Sequence, residues 1–473
     1  MGRLALTVSI LLLLSVSQAQ AQQSCTVLSS GTTNFVNQGT PEELVYVTVP
    51  VLSCPGGRRI SANNAYISQA SGRVQLMGNV QFQDSARTLN STNAEYFSRN
   101  QRMVATGNVV LVHRTTNSTI RSQQLEYTEA TAVRESHVQA IGGNPRAVFR
   151  QASQPDSTVL WAQQIDIFGE DRLRGTGDAR LQRDSLTATG YIIEYDQAVR
   201  QLELSGSRAR VELPSYRLTG DSITAVLTEG EDVEEVLSRH GAHLDSDDME
   251  VTAAAIRLFF EDGGVTRLVA MQWDAAPGAA LAVDQARVVS DQFNMTADSV
   301  DVLAPGQQLQ EAVAIGGAWV ERISPDSLRP YLPEASDEIM DVIANDWMRG
   351  DTVRAFFTEG PVAVAVADTA ADPLIEVVAE PADAGERVLE RLLAIGAPAQ
   401  AMHRVRPENA AADTRLSIAY LVGAHVEVAF VDGLVTVVSA SDDVRGVYLQ
   451  PSDAARRAAP GGESVTGSDG GRE

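Results

Sequence analysis

Two stretches of the chain, 29 residues apart, are near copies of each other. Residues 73–82 read RVQLMGNVQF and residues 102–111 read RMVATGNVVL, so Gly78-Asn79-Val80 falls on Gly107-Asn108-Val109. The apolar positions follow: Val74 on Met103, Leu76 on Ala105, Phe82 on Leu111. A fixed period of this length means stacked supersecondary units, so the fold grows along one axis instead of closing around one globular core. Inside each copy the apolar residues recur at every second position, which is the period of a strand and not of a helix. Glycines at 78, 107, 177, 206 and 316 sit near the centre of such strands, where they mark bulges or a close approach of two sheets.

Weaker copies continue the pattern. Short outgoing strands are predicted at 62–67, 93–97, 124–127, 164–168, 191–195, 221–226, 254–260 and 298–303. Each is joined by a polar turn to a longer return strand, and later return strands are predicted at 173–181, 202–211, 233–244, 309–320 and 389–402. The segments LQEAVAIG at 309–316 and LERLLAIG at 389–396 match well enough to favour strand over a short amphipathic helix at 386–394. Asp432-Gly433 between two apolar runs predicts a tight hairpin. Each unit has one apolar face it cannot bury alone, and two facing sheets solve that. At about 4.8 Å per strand, ten units give a body on the order of 50 Å long.

The layout read from these signals is a leader at 1–21, an N-terminal segment at 22–57 and β repeats over 58–322. A linker follows over 323–386, with a helical turn at 334–344 and a strand near 351–358. Further β repeats occupy 387–451, and a Gly/Ser-rich tail occupies 452–473. The leader has Arg3, an apolar run from Leu4 to Val16 and an Ala19-Gln20-Ala21 cleavage site, which predicts export and cleavage. In an oxidising compartment Cys25 and Cys54 are expected to pair. Two free thiols, or lipidation of Cys25, are the alternatives. The net charge is −24, yet residues 58–150 carry eleven Arg against five acids, a net of +6, so the remainder carries −30. An acidic chain of this kind argues against a nucleic-acid partner. The basic section either attracts an anion or only contrasts with an acidic, solubilising remainder.

The paired segments GNVQFQDSARTLNSTNAEYF and GNVVLVHRTTNSTIRSQQLEY resemble the OstA-like (organic solvent tolerance) domain of the periplasmic lipopolysaccharide-transport proteins of the Lpt system. The resemblance is closest over 58–150, with weaker copies to about 320. It implies an all-β fold: an elongated, two-sheet, V-shaped β-jellyroll or solenoid of stacked strand-turn-strand repeats with an apolar interior. It further implies stacking of such domains edge to edge, with acyl chains held inside and the sugar head outside. The chain is longer than the single-domain bridge proteins of that family, and it shows neither the membrane barrel of the outer-membrane member nor an uncleaved anchor. The expectation is therefore a fused or extended bridge.

On that reading Val74, Leu76, Val80, Phe82, Met103, Val109 and Leu111 line the interior, and Arg58, Arg59 and Arg73 meet anionic head groups at its rim. The expected partners are lipopolysaccharide or a related lipid and other jellyroll proteins joined by edge-strand pairing, in the periplasm or at the outer membrane. No cofactor, metal or catalytic residue is expected. His240-Gly-Ala-His243 has a ligand-like spacing but no third ligand beyond nearby acids. Asn90 and Asn117 fit glycosylation sequons and are read as turn residues, and Tyr96, Tyr127 and Tyr195 as aromatics at the sandwich rim. Two other functions fit the repeat: a structural β-solenoid with a filled core, and a carbohydrate-active β-helix enzyme, which needs acids clustered on one face.

Overall fold

In the computed structural model the long strands do not form independent hairpins; each one bends at its centre and serves two hydrogen-bonded ladders. The structure describes residues 25–40, 42–54, 56–150, 157–230, 232–247, 249–272, 285–290, 292–323, 343–359, 387–405, 416–431 and 434–450. The predicted leader, the tail, the Asp432-Gly433 turn and most of the 323–386 linker lie outside them. The described residues are almost entirely strand, paired antiparallel throughout.

The bend has a chemical cause. Gly78 and Asn79 both have positive φ, 76° and 48°, as do Gly107 and Asn108 at 80° and 48° and Gly177 and Asp178 at 81° and 46°. Glycine enters the left-handed region freely, and Asn and Asp tolerate it better than other side-chain-bearing residues. The pair forms a bulge: Met77 faces Asn93 and Val80 faces Ser91, so Gly78 and Asn79 together oppose Thr92 alone. The bulge adds one residue relative to the facing strand, and the bulged strand keeps its own parity through it. Val74 and Leu76 before the bulge and Val80 and Phe82 after it are therefore buried on the same side. That is why the period of two runs unbroken through Gly-Asn-Val. The opposing strand changes parity at the corner, where Leu89 and Ser91 point inward on one half and Ala94 and Tyr96 on the other.

Two units can be distinguished by their internal packing: Met1–Val159 with Gln163–Glu170, and Leu160–Ala162 with Asp171–Glu473. In the first, one ladder runs from the Thr33–Val36 strand through Leu44–Thr48 and Asn64–Ser68 to the pre-bulge half of Arg73–Gln83. It continues through the matching halves of Arg87–Phe97, Arg102–His113 and Thr119–Thr128 to His137–Ile141 and Gln164–Phe168. The other ladder runs from Thr26–Ser29 through Val51–Cys54 and Arg58–Ser61 to the post-bulge halves, and ends on Arg146–Arg150.

The second unit repeats the plan. The strands from Arg172–Arg183 to Met249–Glu261 contribute to both ladders. Gly264–Met271 and Ser299–Leu303 extend one ladder, and Ala286–Ser290 and Phe293–Ala297 the other. From Glu311–Arg322 onward, the strands Asp346–Glu359, Arg387–Val405 and Ser417–Val431 again span both. Leu434–Ser441 and Arg445–Leu449 close the two ladders. The aligned segments at 309–316 and 389–396 are strands, and their equivalent residues Ala312 and Leu392 both pair with Ala355.

Two expectations need correction. The outgoing strand predicted at 93–97 begins earlier: residues 87–92 belong to the Arg87–Phe97 strand, because Thr88, Asn90 and Thr92 alternate outward while Leu89 pairs between Phe82 and Leu111. Asn90 is accordingly in mid-strand, while Asn117, with φ 57°, occupies a turn.

Cys25 and Cys54 form a disulfide that ties the N-terminal edge strand to its neighbour. The Thr26–Ser29 strand is exposed along its whole length, with Leu28 61 % accessible, so little burial holds it otherwise. The chain-entropy limit for a loop of this size is about 3–4 kcal/mol. The double variant Cys25→Ser/Cys54→Ser is expected to lose amide protection in Thr26–Ser29 while the Arg73–Gln83 strand keeps its own, as read by hydrogen exchange. Equal loss in both strands would contradict this.

Candidate functional site

The pairing registers align inward residues of successive strands into rows that cross the ladders. In the first unit one row passes from Ala65 to Leu76, Ala94, Ala105, Leu125 and Ala140, then to Ile165. Each is at most 2 % exposed. Alanines alternate with larger aliphatics along much of it. The facing ladder carries Ile60, Phe82, Leu89, Leu111 and Ile120 in the same manner. In the second unit a row begins at Leu173, Tyr195 and Leu202 and passes without a break to Ala355, Leu392 and Val428. A second, on the other ladder, runs from Leu181, Ala188 and Val211 to Val320, Met348 and Ala401. Such rows follow from antiparallel registers that keep inward residues opposite one another.

The seven residues expected to line the interior all lie on these inner faces. Val74, Leu76, Val80, Phe82, Met103, Val109 and Leu111 are between 0 and 6 % exposed. They are brought together across the two ladders and are covered by contacts between them. At the free margins of the first unit, away from the bulges, Phe82 of one ladder meets Tyr127 of the other edge-on, with centroids 6.3 Å apart. The Arg87 guanidinium lies 5.0 Å from the centre of the Tyr127 ring.

The three rim arginines separate. Arg59 is exposed on the outer face. Arg73 donates to Glu95 Oε1 at 2.6 Å and is 46 % exposed, also outward. Arg58 departs from the expectation: it is 5 % exposed and points inward. It donates to the Tyr96 hydroxyl at 3.2 Å and pairs with Glu129. Burial opposes its charge, but Tyr96 and Glu129 more than offset this and hold the guanidinium above its ordinary pKa. Burial raises the Tyr96 and Tyr127 phenols, so both are neutral donors near pH 7. These tyrosines face inward at the ladder margins, at 2 % and 7 % exposure. Nothing in the local sequence marks Arg58 for burial, because its partners come from strands and turns far along the chain.

In the second unit Met348, Leu392, Met402, Val428 and Phe430 surround a small gap, with Arg322, Asp346 and His403 beside them. Asp346 Oδ1 accepts from the Arg404 backbone N–H at 2.9 Å and from Arg404 Nε at 3.0 Å. Trp347 stacks on Trp319 at 4.7 Å and joins Ile343, Met402 and Ile418 in a buried cluster. The sequence reading missed this cluster; its signal was the Trp-Met and Met-His pairs at 347–348 and 402–403. His240 lies in a bulge with φ 63° and His243 Nδ1 is 3.8 Å from Glu250. Among the described residues no group of three His, Cys, Asp or Glu is placed to hold a metal ion.

The arrangement offers sheltered apolar rows with arginines at their margins. Residues 88–231 match the family model described as LptA/(LptD N-terminal domain) LPS transport protein. Among solved structures the chain is similar to LptH from Pseudomonas aeruginosa, described as the LptA homologous periplasmic component of the conserved lipopolysaccharide transport device. The identity is 18 %, over 27 % of this chain and 92 % of that one, with a TM-score of 0.24. No curated protein matches the chain. On the family match and the two-ladder architecture, residues 88–231 carry a domain of the LptA/LptD N-terminal type.

Proposed function

We propose that the protein is a non-enzymatic, periplasmic lipid-conducting bridge that carries lipopolysaccharide or a similar amphipathic lipid toward the outer membrane. The observation that carries this reading is the unbroken apolar rows in each unit, together with the transport-family domain over 88–231. A fatty chain entering such a row gains about 0.8 kcal/mol for each methylene removed from water. No step in that process needs a catalytic group, and directionality comes from an energised partner.

Partners join at the ladder ends. In the first unit Thr26–Ser29 and Thr33–Val36 expose Leu28 and Phe35, and in the second Arg445–Leu449 exposes Val447, Tyr448 and Leu449. Unpaired strand edges with apolar side chains suit β-augmentation by another jellyroll domain.

A photo-crosslinking amino acid at Phe82, in living cells with labelled lipopolysaccharide, tests the reading. Adducts to lipopolysaccharide are expected at Phe82 and not at the outward Gln81. Their absence at Phe82, with the protein folded and exported, would favour a structural solenoid with a filled core.

A further inference from the structure

In both units contacts cross from one ladder to the other at the free margins. In the first unit the post-bulge ladder supplies Arg58, Phe82 and Arg87, and the pre-bulge ladder supplies Tyr96, Tyr127 and the adjoining Glu129. In the second, Phe293 meets Phe357 at 5.6 Å, and the Arg322 guanidinium lies 5.2 Å from the Phe430 ring centre. There Gln292 also bridges the ladders: its Nε2 donates to the Arg387 carbonyl at 2.9 Å, and its Oε1 accepts from the Leu389 N–H at 3.3 Å. All these contacts lie at strand ends remote from the bulge line.

We propose that Arg58, Tyr96 and Glu129 form a clasp that keeps the first unit shut until an anionic amphiphile replaces Glu129 at Arg58. The proposal rests on the lipid-transport reading and assigns it a selectivity device. Parting the ladders carries Glu129 and Tyr96 away with one and leaves Arg58 on the other. A guanidinium this buried cannot be stranded without a partner at low cost. A neutral amphiphile supplies none. A phosphate does, because its oxygens accept two parallel N–H bonds from one guanidinium. Phe82 and Tyr127 then part with the clasp, and the inner row beneath Phe82 becomes reachable by an acyl chain. The clasp thus couples recognition of the charged head to admission of the apolar tail. Closure in the empty state also keeps the rows out of water.

The test uses the full mature chain with its disulfide intact and nitroxide labels at Thr88→Cys and Thr128→Cys, which face outward on opposite ladders. Dipolar spectroscopy reads their separation while lipopolysaccharide, or the same lipid stripped of phosphate, is added. The wild type is expected to show one short separation when empty, a longer one with the phosphorylated lipid, and about tenfold weaker capture of the stripped lipid. Glu129→Gln is expected to populate the longer separation without lipid. Arg58→Met is expected to bind both lipids alike. Capture of both lipids equally by the wild type, with the separation unchanged, overturns the clasp and leaves the transport reading standing. Capture of neither lipid overturns the transport reading. The separation in empty Glu129→Gln then decides the clasp alone: unchanged, the clasp is wrong.

Discussion

Asp346→Ala is expected to destabilise the second unit by about 3–5 kcal/mol, the range for deleting one partner of a buried ion pair. Asp346 is 13 % exposed and Arg404 4 %. The carboxylate accepts from both the backbone and the side chain of Arg404, and Arg322 Nη1 stands 3.8 Å away. Removing it takes an acceptor from two donors of one residue and leaves two guanidinium groups facing each other. Burial pulls the Arg322 guanidinium below its ordinary pKa, with Asp346 opposing and Arg404 adding to the effect. The stacked Trp319 and Trp347 rings adjoin the site, so the loss is readable as a lower urea midpoint in tryptophan fluorescence.

The same carboxylate sets an acid limit. Burial pushes its pKa up, but His403 and Arg404 outweigh burial and hold it at about 2, against an ordinary 3.8. A depressed carboxylate stabilises the fold fully above its unfolded pKa, and the contribution fades as pH falls through the folded one. The window is therefore from about pH 4 down to about pH 2, and the contribution lost across it is about 2 kcal/mol. Asp346→Asn is expected to flatten that part of the stability–pH curve. An unchanged acid slope in the variant would mean that other groups set it. The deletion costs more than the titration because a protonated carboxyl still accepts hydrogen bonds, whereas alanine accepts none.

How much of this was legible beforehand follows from what each signal depends on. The strands, the period of two and the bulge positions depend on neighbours within one repeat, and Gly-Asn-Val displays all three. The register between distant repeats was also readable, because LQEAVAIG and LERLLAIG share it. Residues 87–92 misled, since RTLNST offers only Leu89 as an apolar inward residue, and Arg87 and Ser91, of the same parity, are polar. Arg58 misled more. A charged residue is presumed outward unless a partner is known, and Tyr96 and Glu129 become its neighbours only when the two ladders close. The Asp346–Arg404 pair is hidden for the same reason, being joined across 58 residues of sequence. Strand patterns report which side faces in; they do not report what waits on the facing ladder.

Gly107→Val is expected to cost about 3 kcal/mol and to disable lipid capture, because the bulge it occupies sets the direction of both inner faces. With φ at 80°, any side chain at this position is in the left-handed region, which costs about 1–2 kcal/mol, and a β-branched one fits it worst. A Cβ there would also meet Thr92 Oγ1 at 2.7 Å and Thr92 Cβ at 2.8 Å. Thr92 would have to turn away, breaking the bond from its Oγ1 to the Gly107 carbonyl. Asn108→Gly is the matched control: its φ of 48° suits glycine, and stability should change by less than about 1 kcal/mol. Deleting Asn108 should be the most damaging change. One residue fewer reverses parity beyond the bulge, so Val109 and Leu111 turn outward, Val110 and Val112 turn in, and the strand loses its register with both neighbours. Thermal unfolding and lipid capture, measured together, should fall in the order wild type, Asn108→Gly, Gly107→Val, deletion. If the deletion keeps both, the bulge does not set the register, and the alignment of apolar rows that transport depends on must have another cause.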